Sequence, residues 1–229
     1  MTEQQEELLR AAFNRWAQEG RGAGMERHRG LMEKVIGMMG VSPSDRVLDL
    51  GCGTGWATRR LAGLVSNGLA VGVDISDEMV RLARRDSVEL ENVLFVTGAA
   101  DQIPWQENFF SLLLSVDSAY YWPDLERAAG EIFRVMSPGG RAFVLLTFYR
   151  ENPLSLRWQQ LYPAPVALKG AAEWAGIFAN AGFEPVEVSQ TPDPDPVGND
   201  FQPNPWYASP EEETQFRRTG PLLIQAVKP

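Results

Sequence analysis

Three glycines fall within five residues, Gly51, Gly53 and Gly55, between an apolar segment, Arg46–Leu50, and a helix-forming stretch that begins at Trp56. Glycine lets the main chain turn sharply and approach a ligand closely, and the helix that follows presents its positive end to negative groups. A strand, glycine loop and helix in this order mark where a parallel sheet opens its ligand crevice. Asp74 closes the next strand, Val71-Gly72-Val73-Asp74. It lies about 20 residues on, where a carboxylate accepts hydrogen bonds from ribose hydroxyls. Together the loop and Asp74 indicate an adenosine-containing ligand. The dinucleotide fingerprint G-x-G-x-x-G needs its third glycine where this chain has Trp56. That disfavours a nicotinamide- or flavin-binding domain, and a purely structural turn is the other reading of the loop.

The surrounding pattern alternates strands and helices. Residues 5–40 read as two helices separated by Gly20, Gly22 and Gly24. Then follow a helix over Trp56–Ser66 stopped by Asn67-Gly68, a strand over Ala70–Asp74, a helix capped by Ser76 or Asp77, and a strand over Val93–Thr97. Phe110–Val116 is an apolar run suited to a strand buried on both faces. The periodicity of Leu125–Val135 predicts a helix ended by Pro138-Gly139-Gly140, and Ala142–Thr147 is another apolar strand. A helix over Ala171–Ala181 and strands over Phe183–Val188 and Leu222–Val227 complete the pattern. Residues 191–210 contain six prolines and read as an extended loop.

This pattern predicts an α/β fold, Rossmann-like, with a mostly parallel seven-stranded sheet, helices on both faces, an antiparallel last strand and an N-terminal helical cap. The expected organisation is one domain over residues 1–229. Its parts are the cap (1–42), a ligand-binding core (43–148), a substrate-side insertion (149–170) and a C-terminal part (171–229) holding the proline-rich loop.

A net charge of −9 without a basic run argues against a nucleic-acid partner. One cysteine, Cys52, allows neither an internal disulfide nor a multi-cysteine metal cage, so no metal is expected. The acidic start, Met1-Thr2-Glu3-Gln4-Gln5-Glu6-Glu7, does not read as a signal peptide, and no apolar run is long enough to span a bilayer. The cytoplasm is the expected location.

In four blocks the sequence resembles the class I S-adenosylmethionine-dependent methyltransferases, in particular the small-molecule group that includes the ubiquinone/menaquinone methyltransferases. The blocks are Asp49–Gly55, Val71–Asp74, Gly98-Ala99-Ala100-Asp101-Gln102-Ile103-Pro104-Trp105 and Met136-Ser137-Pro138-Gly139-Gly140. The resemblance implies S-adenosylmethionine as cofactor, S-adenosylhomocysteine as product and a small-molecule methyl acceptor. It implies that Gly51, Gly53 and Gly55 line the methionine and ribose part, that Asp49 orients the amino group and that Asp74 holds the ribose. Ile75 and Met79 match the apolar residues beside the adenine, with helix packing as the alternative. The backbone of Ala100 serves a ring nitrogen, and Cys52 and Val116 complete the set of contacts, although the Cys52 side chain reads as packing. Relatives carry Asp or Asn where this chain has Ala99, and Asp101 is the candidate substitute.

Asp117-Ser118-Ala119-Tyr120-Tyr121-Trp122 follows the fourth strand, where acceptor and methyl group meet in such a fold. Asp117, Tyr120 and Tyr121 are the candidates for catalysis: Asp117 as a base or a turn residue, the tyrosines as contacts to the sulfonium or as core. Residues 152–162 and the proline-rich loop with Phe201, Trp206 and Tyr207 are candidate covers. His28, the only histidine, reads as a surface residue. A non-catalytic binder of the same cofactor is the alternative function.

Overall fold

Because strand side chains alternate between faces, the apolar runs of the sequence supply two cores at once. The computed structural model describes residues 3–20, 29–198 and 201–229, so His28 lies outside the described residues. Seven strands form one sheet: β1 (Arg46–Leu50), β2 (Leu69–Asp74), β3 (Val93–Thr97), β4 (Phe110–Val116), β5 (Met136–Leu146), β6 (Val186–Gln190) and β7 (Leu222–Val227). Their order is β3-β2-β1-β4-β5-β7-β6. Strands β1 to β5 pair in parallel, and β7 runs antiparallel to β5 and β6. On one face Val47, Leu112, Leu114, Phe143 and Leu223 pack against α2 (Arg29–Met39) and α3 (Trp56–Ala62). On the other, Leu48, Leu113, Val144 and Ile224 share a core with side chains of α5 (Leu125–Val135) and α7 (Ala171–Asn180).

The strand order reverses between β1 and β4, which places the crevice at their carboxyl ends. The glycine loop leaves β1 there and residues 117–122 leave β4. Two helices stand near this opening: α1 (Glu3–Gln18), which lies against α4 (Asp77–Arg85), and α8 (Pro210–Thr219). A short helix, α6 (Ser155–Trp158), and a single 3-10 turn, Gln159–Leu161, occupy the segment after β5.

Four elements depart from the sequence expectation, each for a local reason. Helix α3 stops at Ala62, four residues early, because the Asn92 amide donates to the carbonyls of Ala62 and Val65 (both 2.9 Å). Carbonyls left over at a helix end need such donors. Strand β5 begins at Met136, before the Pro-Gly-Gly turn, which forms an irregularity in the pairing with β4. Lys228 fixes this bulge: its ammonium donates to Asn108 Oδ1, Phe133 O and Met136 O at 2.7, 2.8 and 2.9 Å. Strand β6 starts only at Val186, since Pro185 has no N–H to donate. Helix α8 falls where the sequence pattern predicts no element, yet Ser209 caps it, Pro210 opens it and Glu211, Glu212 and Glu213 fill its first turn. Those are ordinary helix-start signals, hidden here behind a proline-rich stretch.

Candidate active site

The loop after β1 is folded back onto the end of β2. The N–H groups of Gly51 and Cys52 both donate to Val73 O, at 2.7 and 3.1 Å. Gly51 takes φ 82°, and a Cβ there would stand 2.3 Å from the Ser118 Cβ. Ser118 is itself anchored, donating to Leu50 O at 3.0 Å. At Gly55, with φ 80°, a Cβ would meet the Phe95 ring at 2.6 Å. Gly51 thus keeps the two switch-point loops in contact, and Gly55 lets α3 start against β3.

Asp74 is the polar centre of this half. Its carboxylate accepts from Gly53 N–H at 2.8 Å and from Ser76 N–H at 2.9 Å. Burial nevertheless raises its pKa, against the lowering effect of those donors. Asp49, 3% exposed, lies beneath the loop and accepts from Thr58 Oγ1 at 2.6 Å. Burial, only partly offset by that bond and reinforced by the charge of Asp74, pushes its pKa up to about 6. Two buried carboxylates without a cation among their described partners make a site that favours a positively charged group.

A cavity of about 1010 Å³ opens over the loop. That is the upper end of small-molecule sites, about 300–1,000 Å³, and gives room for two ligands. Of the residues singled out in the sequence, Gly51, Gly53, Asp74, Ile75, Met79, Ala100, Val116, Asp117, Tyr120 and Tyr121 line it. Asp49, Cys52, Gly55 and Asp101 are not among the lining residues. Cys52 is buried against Phe95 and Val80, where burial raises its thiol pKa, and Gly55 serves packing. Asp101, 4% exposed, is not brought to the cavity, whereas Ala99 is, so the position where relatives place a carboxamide or carboxylate presents a methyl group.

Three further lining residues carry no signal of that role in the sequence. Leu9, Phe13 and Trp16 of α1 line the cavity, and Phe13 meets Tyr121 edge-on at 4.9 Å. Asn14 Oδ1 holds α1 there by accepting from Ser76 Oγ (2.6 Å) and Glu78 N–H (3.2 Å). An amphipathic helix of this kind shows a core-facing stripe but not what it will cover.

Beyond Asp74 the lining turns aromatic, with Tyr120, Tyr121, Trp158, Tyr162, Trp206 and Tyr207. Tyr162 lies 5.3 Å from Tyr120 and 5.4 Å from Trp206, centroid to centroid. The Trp158 indole donates to Trp206 O at 2.7 Å, joining the 152–162 segment to the proline-rich loop. Asp117, with φ 49°, accepts through Oδ1 from Thr147 N–H and Oγ1 at 2.7 and 2.8 Å. Burial comes first, and the Asp117 charge adds to it, in raising the phenols of Tyr120, Tyr121, Tyr162 and Tyr207, so these tyrosines stay protonated. Among the described residues no cluster of His, Cys, Asp or Glu is arranged to hold a metal, and no helix is long and apolar enough to cross a membrane.

Comparison with known proteins agrees with this geometry. Residues 48–144 match the family described as a methyltransferase domain. A demethylmenaquinone methyltransferase of Staphylococcus aureus is 30% identical over 138 residues, 60% of this chain and 57% of that protein. The chain therefore spans little more than half the length of the curated relatives it matches. Among solved structures, a chain from the complex between the Haloferax volcanii Trm112 methyltransferase activator and a methyltransferase superposes with TM-score 0.85 at 30% identity, covering 95% of this chain and 97% of that one. A Thermotoga maritima S-adenosylmethionine-dependent methyltransferase shares the fold, with TM-score 0.68 at 21% identity, covering 96% of this chain and 99% of its own. With the glycine loop, the Asp74 carboxylate and near full-length similarity to a methyltransferase chain in place, the protein belongs to the class I S-adenosylmethionine-dependent methyltransferases.

Proposed function

We propose that this protein transfers a methyl group from S-adenosylmethionine to a small-molecule acceptor. The observation that carries the reading is Asp74, a buried carboxylate held by Gly53 N–H on the wall of a cavity large enough for two ligands. When bound, the cofactor supplies an electrophilic methyl group on a sulfonium. The ribose hydroxyls are assigned to Asp74 and the methionine ammonium to the region above Asp49, whose carboxylate has no cationic partner among the described residues. Ile75 and Met79 flank the adenine, with Ala100 N–H on a ring nitrogen. Tyr120 and Tyr121 close the methyl end, and the aromatic residues beyond them keep water out and align the acceptor. Positioning of this kind supplies up to about 7–11 kcal/mol in favourable intramolecular reactions.

Titration calorimetry with S-adenosylmethionine and S-adenosylhomocysteine tests the first half of the reading, and release of S-adenosylhomocysteine with an acceptor panel tests the second. A folded protein that binds neither ligand sinks the proposal. Binding without turnover across the panel would favour a cofactor-binding protein instead.

A protein partner is part of the same reading. The Haloferax volcanii chain was solved with an activator. Here Val88 and Leu90, in the loop that leads into β3, and Leu94, on that edge strand, are 81%, 36% and 48% exposed. A small activator seated there buries them. Co-expression with such an activator is expected to give a one-to-one complex that Leu94→Asp disrupts. The single free thiol fits a cytoplasmic location.

A further inference from the structure

We propose that the cofactor site recognises its purine at ring nitrogen 1, through Ala100 N–H, and is indifferent to the 6-amino group, because Ala99 presents a methyl group to that edge of the base. The ligands it takes are then 5′-thioether purine nucleosides with an acceptor at nitrogen 1, with or without the amino group. This deepens the methyltransferase reading and rests on it.

The first support is the turn after β3. Gly98 N–H donates to Asp74 O at 2.9 Å and Gln102 N–H to Ala99 O at 3.2 Å, so the chain doubles back at Ala99 and Ala100 beside the end of β2. Gly98 lets the turn close on Pro104, whose ring a Cβ at Gly98 would meet at 2.6 Å. Within the turn Ala100 N–H has no partner among the described residues, and Ala100 lines the cavity. A main-chain donor without a protein partner is satisfied by whatever enters beside it. Adenine offers it an acceptor at nitrogen 1. Hypoxanthine, which carries a proton there, offers a second donor instead.

The second is the chemistry of the wall at this end. The lining side chains of Ile75, Met79, Ala99 and Ala100 hold neither oxygen nor nitrogen. Asp74 is held by Gly53 and Ser76 N–H and faces the ribose in this reading. Two side chains of the turn could accept from an amine. Asp101 is 4% exposed, Gln102 is exposed to solvent, and neither is among the lining residues. From α1 come Leu9 and Phe13, which share an apolar cluster with Ile75 and Ala100.

The third is how such a wall discriminates. A site built around a hydrogen bond rejects a ligand that lacks it, because the site's own polar group is then left unpaired. Ala99 has no polar group to strand, so removing the amino group costs this site little.

Titration calorimetry on the full chain provides the test, with S-adenosylhomocysteine, its purine analogue lacking the 6-amino group, and its hypoxanthine analogue as probes. The purine analogue is expected to bind within about three-fold of S-adenosylhomocysteine, and the hypoxanthine analogue at least about ten-fold more weakly. Ala99→Asp puts an acceptor on the cavity wall. It is expected to open a preference of at least about ten-fold for S-adenosylhomocysteine over the purine analogue. A larger loss with the purine analogue or a smaller one with the hypoxanthine analogue overturns the proposal. So does an Ala99→Asp protein that folds, binds S-adenosylhomocysteine and stays indifferent to the amino group. If Ala99→Asp does not fold, the wild-type comparison decides by itself. Absence of S-adenosylhomocysteine binding to the folded wild type would instead remove the methyltransferase reading beneath it.

Discussion

The two halves of the cavity are made of different material. Over β1 and β2 the cavity faces main chain and one carboxylate: Gly51, Gly53, Ala100 and Asp74, fixed by strand ends and a loop bonded to Val73. Beyond Tyr120 it faces side chains drawn from helices and loops far apart in sequence, such as Trp158 and Trp206. A backbone-built site tolerates little change, because each position is set by the sheet itself. A site built of side chains can be refitted to another acceptor without disturbing the strands.

The contrast is broken most directly at Gly51. Gly51→Val places a branched side chain into Ser118 at a positive φ; it is expected to abolish cofactor binding by calorimetry and to cost about 3 kcal/mol in urea unfolding. Retained affinity would show that the loop is not the rigid element described. Asp74→Ala should leave the fold intact and weaken S-adenosylhomocysteine binding by about 100-fold, the loss expected for hydrogen bonds to a charged acceptor.

Asn14→Ala tests whether α1 belongs to the backbone-built half. Losing the bonds from Ser76 and Glu78 is expected to weaken cofactor binding about five-fold, with little change in Tm. Protons sharpen the same point. Asp49 has its folded pKa raised to about 6 from 3.8. Its contribution to stability is therefore full below the unfolded value and lost as pH rises through about 6. A bound ammonium favours the carboxylate, so binding releases protons below that pH, and affinity climbs with pH until it levels off near 6. Calorimetry in buffers of different ionisation enthalpy reads the proton release, and Asp49→Asn should flatten the profile. The smallest effect belongs to the other half: Trp206→Leu should change S-adenosylhomocysteine affinity by no more than about two-fold.

Legibility in the sequence follows the same division. The strand, loop and helix from Arg46 to Ala62, and Asp74 after them, could be read because backbone-built sites need particular residues at fixed spacing. Strands β4 and β7 were legible as apolar runs bounded by turn signals. Helix α8 was not, since its cap and acidic first turn follow a proline-rich stretch, and the early stop of α3 depends on Asn92, which comes from the other side of β2. Asp101 could be noted as a substitute for the missing side chain at Ala99, yet its burial away from the cavity is a property of the turn it sits in. The contact of Phe13 with Tyr121 has no local signature, because nothing in either segment names the other.

Gly30 N–H donates to Asp195 at 2.9 Å, and Lys34 donates to Pro192 O at 3.0 Å, so the proline-rich roof is tied to α2 across separations of 165 and 158 residues. Loops held by a few such bonds open at a lower free energy than the core strands. Heating or mild denaturant should therefore silence turnover while the sheet is still intact. A protein that has lost activity can still look folded by its far-ultraviolet spectrum.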